Sequence, residues 1–143
     1  MLLAILDVAC RNLPLLWISW YAWCARYREA VVVLVCGPLL NAAVKALPWP
    51  LSWRLRPGGG RSLVAGTPID YGCGWLPFRC GSADRAFPSG HVQTAAAAVA
   101  VGGGGWAVVG LVAAQRWYGD CHSPTQVLVG AMLGYGAALA VSA

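Results

Sequence analysis

Long apolar stretches alternate with short polar ones along this chain. The apolar runs cover about residues 2–25, 30–48, 91–115 and 125–142. At a rise of about 1.5 Å per residue, each reads as a helix of near-bilayer length. The first carries Asp7 and Arg11 four residues apart, a spacing that lets opposite charges neutralise each other on one helix face. Pro14 is expected to kink it. The second run, "AVVVLVCGPLLNAAVKALPW", predicts one span. The last, "TQVLVGAMLGYGAALAVSA", predicts another, with Gly130, Gly134 and Ala138 offering a face for close helix packing.

The run from Val92 to Ala114 admits two readings. Hydropathy makes it a single span, which would set the residues before it and after it on opposite sides of a membrane. The tetraglycine Gly102–Gly105 in its middle is instead a turn signal. As a hairpin, each arm has about 12 residues, or about 18 Å, against a hydrocarbon core of about 30 Å. Such arms must be re-entrant or sheltered by other helices. The expected fold is all-α: a single-domain integral membrane bundle of about five helices over residues 1–143, with a short hairpin around Gly102–Gly105. Residues 1–48 would supply two helices, 49–88 an extramembrane loop, and 89–143 the core helices.

Composition agrees with a membrane setting. Hydrophobic residues make up 59% and charged ones 10%, against roughly a quarter charged in soluble domains. The net charge of +5 is not spent on a basic run interleaved with aromatics, so nucleic acid is not an expected partner. The cations sit in polar segments and suit anionic head groups or phosphate. Arg61, Arg79 and Arg85 read as solvated loop charges. Of six cysteines, Cys10, Cys24 and Cys36 lie in apolar runs and read as buried thiols. Cys73 and Cys80 flank one loop and read equally as a disulfide or as two free thiols. The charged, uncleaved-looking N-terminal run reads as the first helix, not as a removed signal.

Three polar clusters carry the candidate chemistry. In "FPSGHVQTAAAA", Ser89 is a natural N-cap for an alanine-rich helix. The helix start favours an anion, and His91 stands in its first turn. "RWYGDCH" brings Arg116 and His122, and "VKALPWPLSWRLRP" brings Lys45, Arg54 and Arg56. The chain has two histidines and a single lysine, all beside these clusters. Two imidazoles, fixed cations and a helix N-terminus are the parts that metal-free phosphoryl transfer needs.

These motifs resemble the type 2 phosphatidic acid phosphatase superfamily, whose pattern is Lys-x6-Arg-Pro, Pro-Ser-Gly-His and Ser-Arg-x5-His-x3-Asp. Pro88-Ser89-Gly90-His91 is intact. The third motif stands as Gln115-Arg116, five residues, His122, three residues and Gln126, and with "VLVG" it is nearest to polyprenyl diphosphate phosphatases. The first is stretched, with ten residues between Lys45 and Arg56-Pro57, and Arg54 is the alternative to Arg56. The resemblance implies a helical core like that of vanadium haloperoxidases and a metal-independent, cofactor-free phosphatase. His122 would be the nucleophile and His91 the proton donor. Lys45, Arg56, Arg116, Ser89 and Gly90 would bind the substrate phosphate. It implies a lipid phosphate or polyprenyl diphosphate as substrate. A catalytically weak protein that binds anionic lipid is the alternative, and a structural membrane protein with coincidental motifs a third.

Gln126 replaces the family's aspartate and has three readings. At i,i+4 from His122 it could hold the imidazole tautomer. In "SPTQ" it completes a Ser-x-x-Gln capping box with Ser123. Or it caps while Asp120 supplies the carboxylate. Exchange for aspartate would raise turnover under the first reading and change little under the second. Arg26 and Arg28 between the first two runs make that side cytoplasmic by the positive-inside rule. The protein is then multi-pass, with its site on the lumenal or extracytoplasmic face. Short helices would leave room for a homo-oligomer.

Overall fold

The computed structural model describes residues 2–57, 73–75 and 85–143. Arg61, Arg79 and Cys80 lie outside them. The helices are α1 (Leu2–Trp23), α2 (Tyr27–Leu34), a π-helical turn (Val35–Leu39), α3 (Leu40–Lys45), α4 (Leu51–Arg54), α5 (Gly90–Gly102), α6 (Trp106–Tyr118) and α7 (Pro124–Ser142). No strand occurs among the described residues. The expected all-α class is therefore seen, with one addition: the single-turn α4 inside the stretch read as loop.

Helix α1 runs unbroken through the buried Pro14. The second apolar run is continuous from Tyr27 to Lys45, but its middle is a wide π turn containing Pro38. Proline has no N–H to close the i→i−4 ladder, and a widened turn absorbs that defect. It also leaves the Cys36 carbonyl for an outside donor, which the candidate site uses.

The hairpin reading holds. α5 ends at Gly103, whose φ of 67° is left-handed and whose N–H donates to the Val99 carbonyl. A residue without a Cβ takes that conformation at little cost, so the helix stops there. α6 then returns toward the start of α5. At 13 residues each, α5 and α6 are about 20 Å long. For α5, shelter answers the problem of shortness: every residue from Gly90 to Val99 is buried, so its backbone faces protein, while α6 is buried on one side only. Its alanines and valines pack against Trp17 and Leu13 of α1, Val33 and Cys36 of the second helix, Val109 and Val112 of α6, and Ala138 of α7.

Helix α7 lies closest to α5. Gly130, Gly134 and Ala138 are buried as expected, and a Cβ on Gly130 would stand 2.6 Å from the Ser89 carbonyl oxygen. The outside of the bundle is apolar, with Leu16, Trp20, Leu39, Leu111, Leu128 and Met132 exposed. Two helices, Tyr27–Lys45 and Pro124–Ser142, are long and apolar enough to cross a membrane. At one end Arg28 Nη2 donates to the Ser142 carbonyl at 3.3 Å, and Tyr21 Oη donates to the Ala98 carbonyl at 3.0 Å. The histidines occupy the other end.

Candidate active site

Buried amides set the turn that presents His91. Asn41 Nδ2, on α3, donates to the Pro88 carbonyl at 3.2 Å and to Gln93 Oε1 at 2.9 Å. Gln93 Nε2 donates to the Cys36 carbonyl at 2.7 Å, the group exposed by the π turn. Position 90 suits glycine, since a Cβ there would lie 2.7 Å from Asn41 Oδ1 and displace that amide from its bonds. Neither Asn41 nor Gln93 belongs to a motif. Their one sequence signal is an amide isolated in an apolar run.

Ser89 corrects an expectation. It occupies the N-cap position, yet its side chain makes no capping bond. Its N–H donates to the Gln126 carbonyl at 3.0 Å, and its carbonyl accepts from Gln93 N–H at 3.0 Å. Ser89 Oγ and His91 Nε2 are both buried without a hydrogen-bond partner among the described residues. Buried polar atoms left this way are uncommon and point to a ligand. They sit where the first N–H groups of α5 lack intrahelical acceptors, an environment suited to an anion.

Across from them, the turn between α6 and α7 presents His122. Gln126 turns out to fill two roles at once. Its Oε1 accepts the Ser123 N–H at 3.0 Å, while Ser123 Oγ accepts the Gln126 N–H at 3.3 Å, completing the capping box. The same Oε1 lies 3.3 Å from His122 Nδ1. Its Nε2 donates to the Trp53 carbonyl at 2.7 Å and the Leu55 carbonyl at 2.9 Å. Those two acceptors set the amide orientation, so Nδ1 of His122 carries the proton and Nε2 presents a lone pair. Asp120 is exposed, and no hydrogen bond among the described residues joins it to His122.

Three cations lie at the same end of the bundle. Arg116 is fully buried at the end of α6, and its Nη2 donates to the Cys73 carbonyl at 2.6 Å. Arg56 is buried, and its Nη1 donates to the Cys121 carbonyl at 2.8 Å. Lys45 is half-buried at the end of α3. The charges of Arg116 and Lys45 reach both histidines, and that of Arg56 reaches His122. Of Arg54 and Arg56, it is Arg56 whose side chain bonds the residue before His122. Arg54 is half-buried nearby, and Arg85 is exposed as a loop charge. Burial foremost, then the charges of Arg116, Arg56 and Lys45, hold the His122 imidazole well below its ordinary 6.5. The Gln126 hydrogen bond pulls weakly the other way.

A short segment from the central loop completes the site. Trp75 stacks on His91, with ring centroids 4.0 Å apart and planes 12° from parallel. Cys73 is disulfide-bonded to Cys121, immediately before His122. The Cys73–Cys80 pairing is thereby corrected. Cys121 N–H and His122 N–H both donate to the Arg116 carbonyl at 3.1 Å, and the Arg116 side chain holds the Cys73 carbonyl. One residue thus aligns both partners of the bridge. Cys10 and Cys36 are buried free thiols, but Cys24 is exposed because it falls in the turn after α1. Trp75 could not have been singled out among eight tryptophans.

Every candidate residue named from the sequence (His91, His122, Gln126, Lys45, Arg56, Ser89, Gly90 and Arg116) therefore stands at one end of the bundle. Among the described residues, no group of three His, Cys, Asp or Glu side chains could hold a metal ion. No protein-family model, no curated protein and no solved structure matches the chain.

Proposed function

We propose that this chain is a multi-pass membrane phosphatase of the type 2 phosphatidic acid phosphatase kind, acting on a lipid phosphate or polyprenyl diphosphate. What carries the reading is the gathering at one end of the bundle of two buried histidines, the charges of Lys45, Arg56 and Arg116 that act on them, and Ser89, whose hydroxyl has no hydrogen-bond partner among the described residues. His122 Nε2 attacks phosphorus, and the bond to the leaving oxygen breaks with its electron pair on that oxygen. His91 protonates the leaving oxygen. Water then attacks the phosphohistidine, His91 takes the water proton, and the P–N electrons return to His122 as orthophosphate leaves. The three cations, Ser89 Oγ and the Gly90 N–H hold the equatorial oxygens.

The lumenal or extracytoplasmic placement of the site rests on two observations. The Cys73–Cys121 disulfide suits an oxidising compartment. Arg26 and Arg28 lie between α1 and α2, and Arg28 meets Ser142 at the end away from the histidines. Helix α6 exposes Trp106, Leu111 and Trp117, an apolar face suited to lipid.

A second reading, an anion-binding protein without turnover, is favoured by a separate observation. Arg116 and Arg56 each spend a donor on a main-chain carbonyl, which reduces what they offer to phosphate. Phosphate release by the purified protein in EDTA, abolished by vanadate and by His122→Ala, supports the enzyme. Activity that survives His122→Ala overturns the mechanism, and lipid binding without release favours the second reading.

A further inference from the structure

Gln115 and Arg116 share the last turn of α6, and each is tied to a distant part of the chain. Arg116 Nη2 donates to the Cys73 carbonyl at 2.6 Å, and the Arg116 carbonyl accepts from Cys121 N–H and His122 N–H, both at 3.1 Å. Gln115 Nε2 crosses to α1 and donates to Asp7 Oδ1, while Gln115 Oε1 accepts from Arg116 Nη1 at 3.5 Å. Asp7 uses its other oxygen, Oδ2, to accept from Arg11 Nη2. All four side chains are buried. Position 115 is where the resembled pattern has serine, and the longer amide is what reaches α1.

These bonds direct Arg116 without neutralising it. A carboxylate bonded straight to Arg116 would form a strong ion pair and compete with phosphate for the guanidinium. Asp7 instead stands one side chain away, its charge is offset by Arg11, and a neutral amide makes the contact. At 3.5 Å that contact is weak, so the covalent link matters more. Pinning Gln115 to α1 fixes the last turn of α6, and Arg116 is the next residue. Cancelling two charges within α1 would need no partner on another helix.

We propose that Asp7 is a positioning residue for phosphate. Through Gln115 it fixes the end of α6, and so the direction in which Arg116 offers its guanidinium to a phosphate oxygen. The inference rests on the phosphatase reading above for the role of Arg116. Phosphate binding is read without turnover, so the two can fail separately.

The test measures the Kd of inorganic phosphate for the purified full chain in detergent, with Tm recorded beside it. In Asp7→Leu with Arg11→Met, the buried ion pair becomes apolar groups of similar size, so no charge is left alone. Gln115 loses its acceptor, and the phosphate Kd rises about tenfold as one hydrogen bond to phosphate loses its alignment. Asp7→Asn with Arg11→Met removes the same charges but keeps an oxygen for Gln115 Nε2. That pair restores Kd to within about threefold of the unaltered protein. Gln115→Met raises Kd as the apolar pair does, and combining the two adds nothing further, because both sever the same link. An unchanged Kd in the apolar pair overturns the inference, even where Tm falls. So does an equal loss in the pair that keeps the oxygen, which would make charge and not position the cause. Losses that add in the combined variant overturn it too. If the apolar pair does not fold, Gln115→Met decides by its Kd, and an unchanged value there overturns the inference. Absence of phosphate release by an unaltered protein that binds phosphate overturns the phosphatase reading alone. Absence of phosphate binding overturns both.

Discussion

Exchange of Gln126 for glutamate separates what its two amide atoms do. The carboxylate is isosteric and keeps an acceptor for His122 Nδ1 and the Ser123 N–H. It removes the donor that holds the Trp53 and Leu55 carbonyls at 2.7 and 2.9 Å. Two net hydrogen bonds amount to about 1–3 kcal/mol, and the loss is greater to the extent that the part-buried carbonyls are kept from water. A carboxylate oxygen facing two carbonyl oxygens also repels them. The segment released leads directly into Arg56, so phosphate binding suffers while the imidazole keeps its partner. The expected result is a lower Tm and a KM raised by about tenfold, corresponding to about 1.4 kcal/mol, with kcat changed less. Gln126→Asp is shorter by a methylene and falls short of its partners on both sides, so it lowers activity too. Thermal unfolding followed by tryptophan fluorescence, with steady-state phosphate release, measures both quantities. A Gln126→Glu protein with unchanged Tm and raised kcat/KM would falsify the assignment of the amide as a tether.

The pH dependence follows from His122. Its folded-state value is depressed from 6.5 by burial and by Arg116, Arg56 and Lys45. Under the proposed mechanism, the neutral imidazole that attacks persists as pH falls past 6.5, and the acid limb of kcat/KM lies below that pH. A limb at or above it contradicts the burial of His122 among cations. In the unfolded chain the same group binds a proton below 6.5 while the folded one stays neutral. Its contribution to stability is thus complete above 6.5 and declines as pH falls toward the folded value. The disulfide gives another check. It closes a sequence separation of 48, so Cys73→Ser costs about 2–4 kcal/mol of stability. Because Arg116 and Arg56 each hold the carbonyl of one bridged cysteine, KM should also rise in Cys73→Ser or after reduction with dithiothreitol. An unchanged KM would separate the bridge from the phosphate clamps.

The long helices, the turn signal at Gly102–Gly105 and the motif residues were legible because they rest on local chemistry, whereas only the packing of α5 chose the hairpin over a single span. Continuous apolar runs mark α1, the Tyr27–Lys45 helix and α7. Four consecutive glycines make a turn, and "SPTQ" makes a capping box wherever a helix follows it. Other features depend on meetings between residues far apart in the chain. Nothing local distinguishes Cys121 from Cys80 as the partner of Cys73, or Trp75 from the other tryptophans as the ring that stacks on His91. The same holds for Asn41 and Gln93, which meet across two helices, and for the Cys36 carbonyl that the π turn around Pro38 offers to Gln93.

Gln126 divides along the same line. Its cap is written in four consecutive residues. Its hold on the Trp53 and Leu55 carbonyls exists only because tertiary packing brings the end of α4 against the start of α7. Asp7 and Arg11 divide likewise: their i,i+4 spacing made them a pair, and only the packing of α1 against α6 brought Gln115, and through it Arg116, to that pair. Sequence by itself determined which side chains were available and how each helix begins and ends, since those depend on neighbours within a turn or two. Tertiary structure alone decided which buried donor met which acceptor, because burial makes every polar atom seek a partner wherever in the chain one lies.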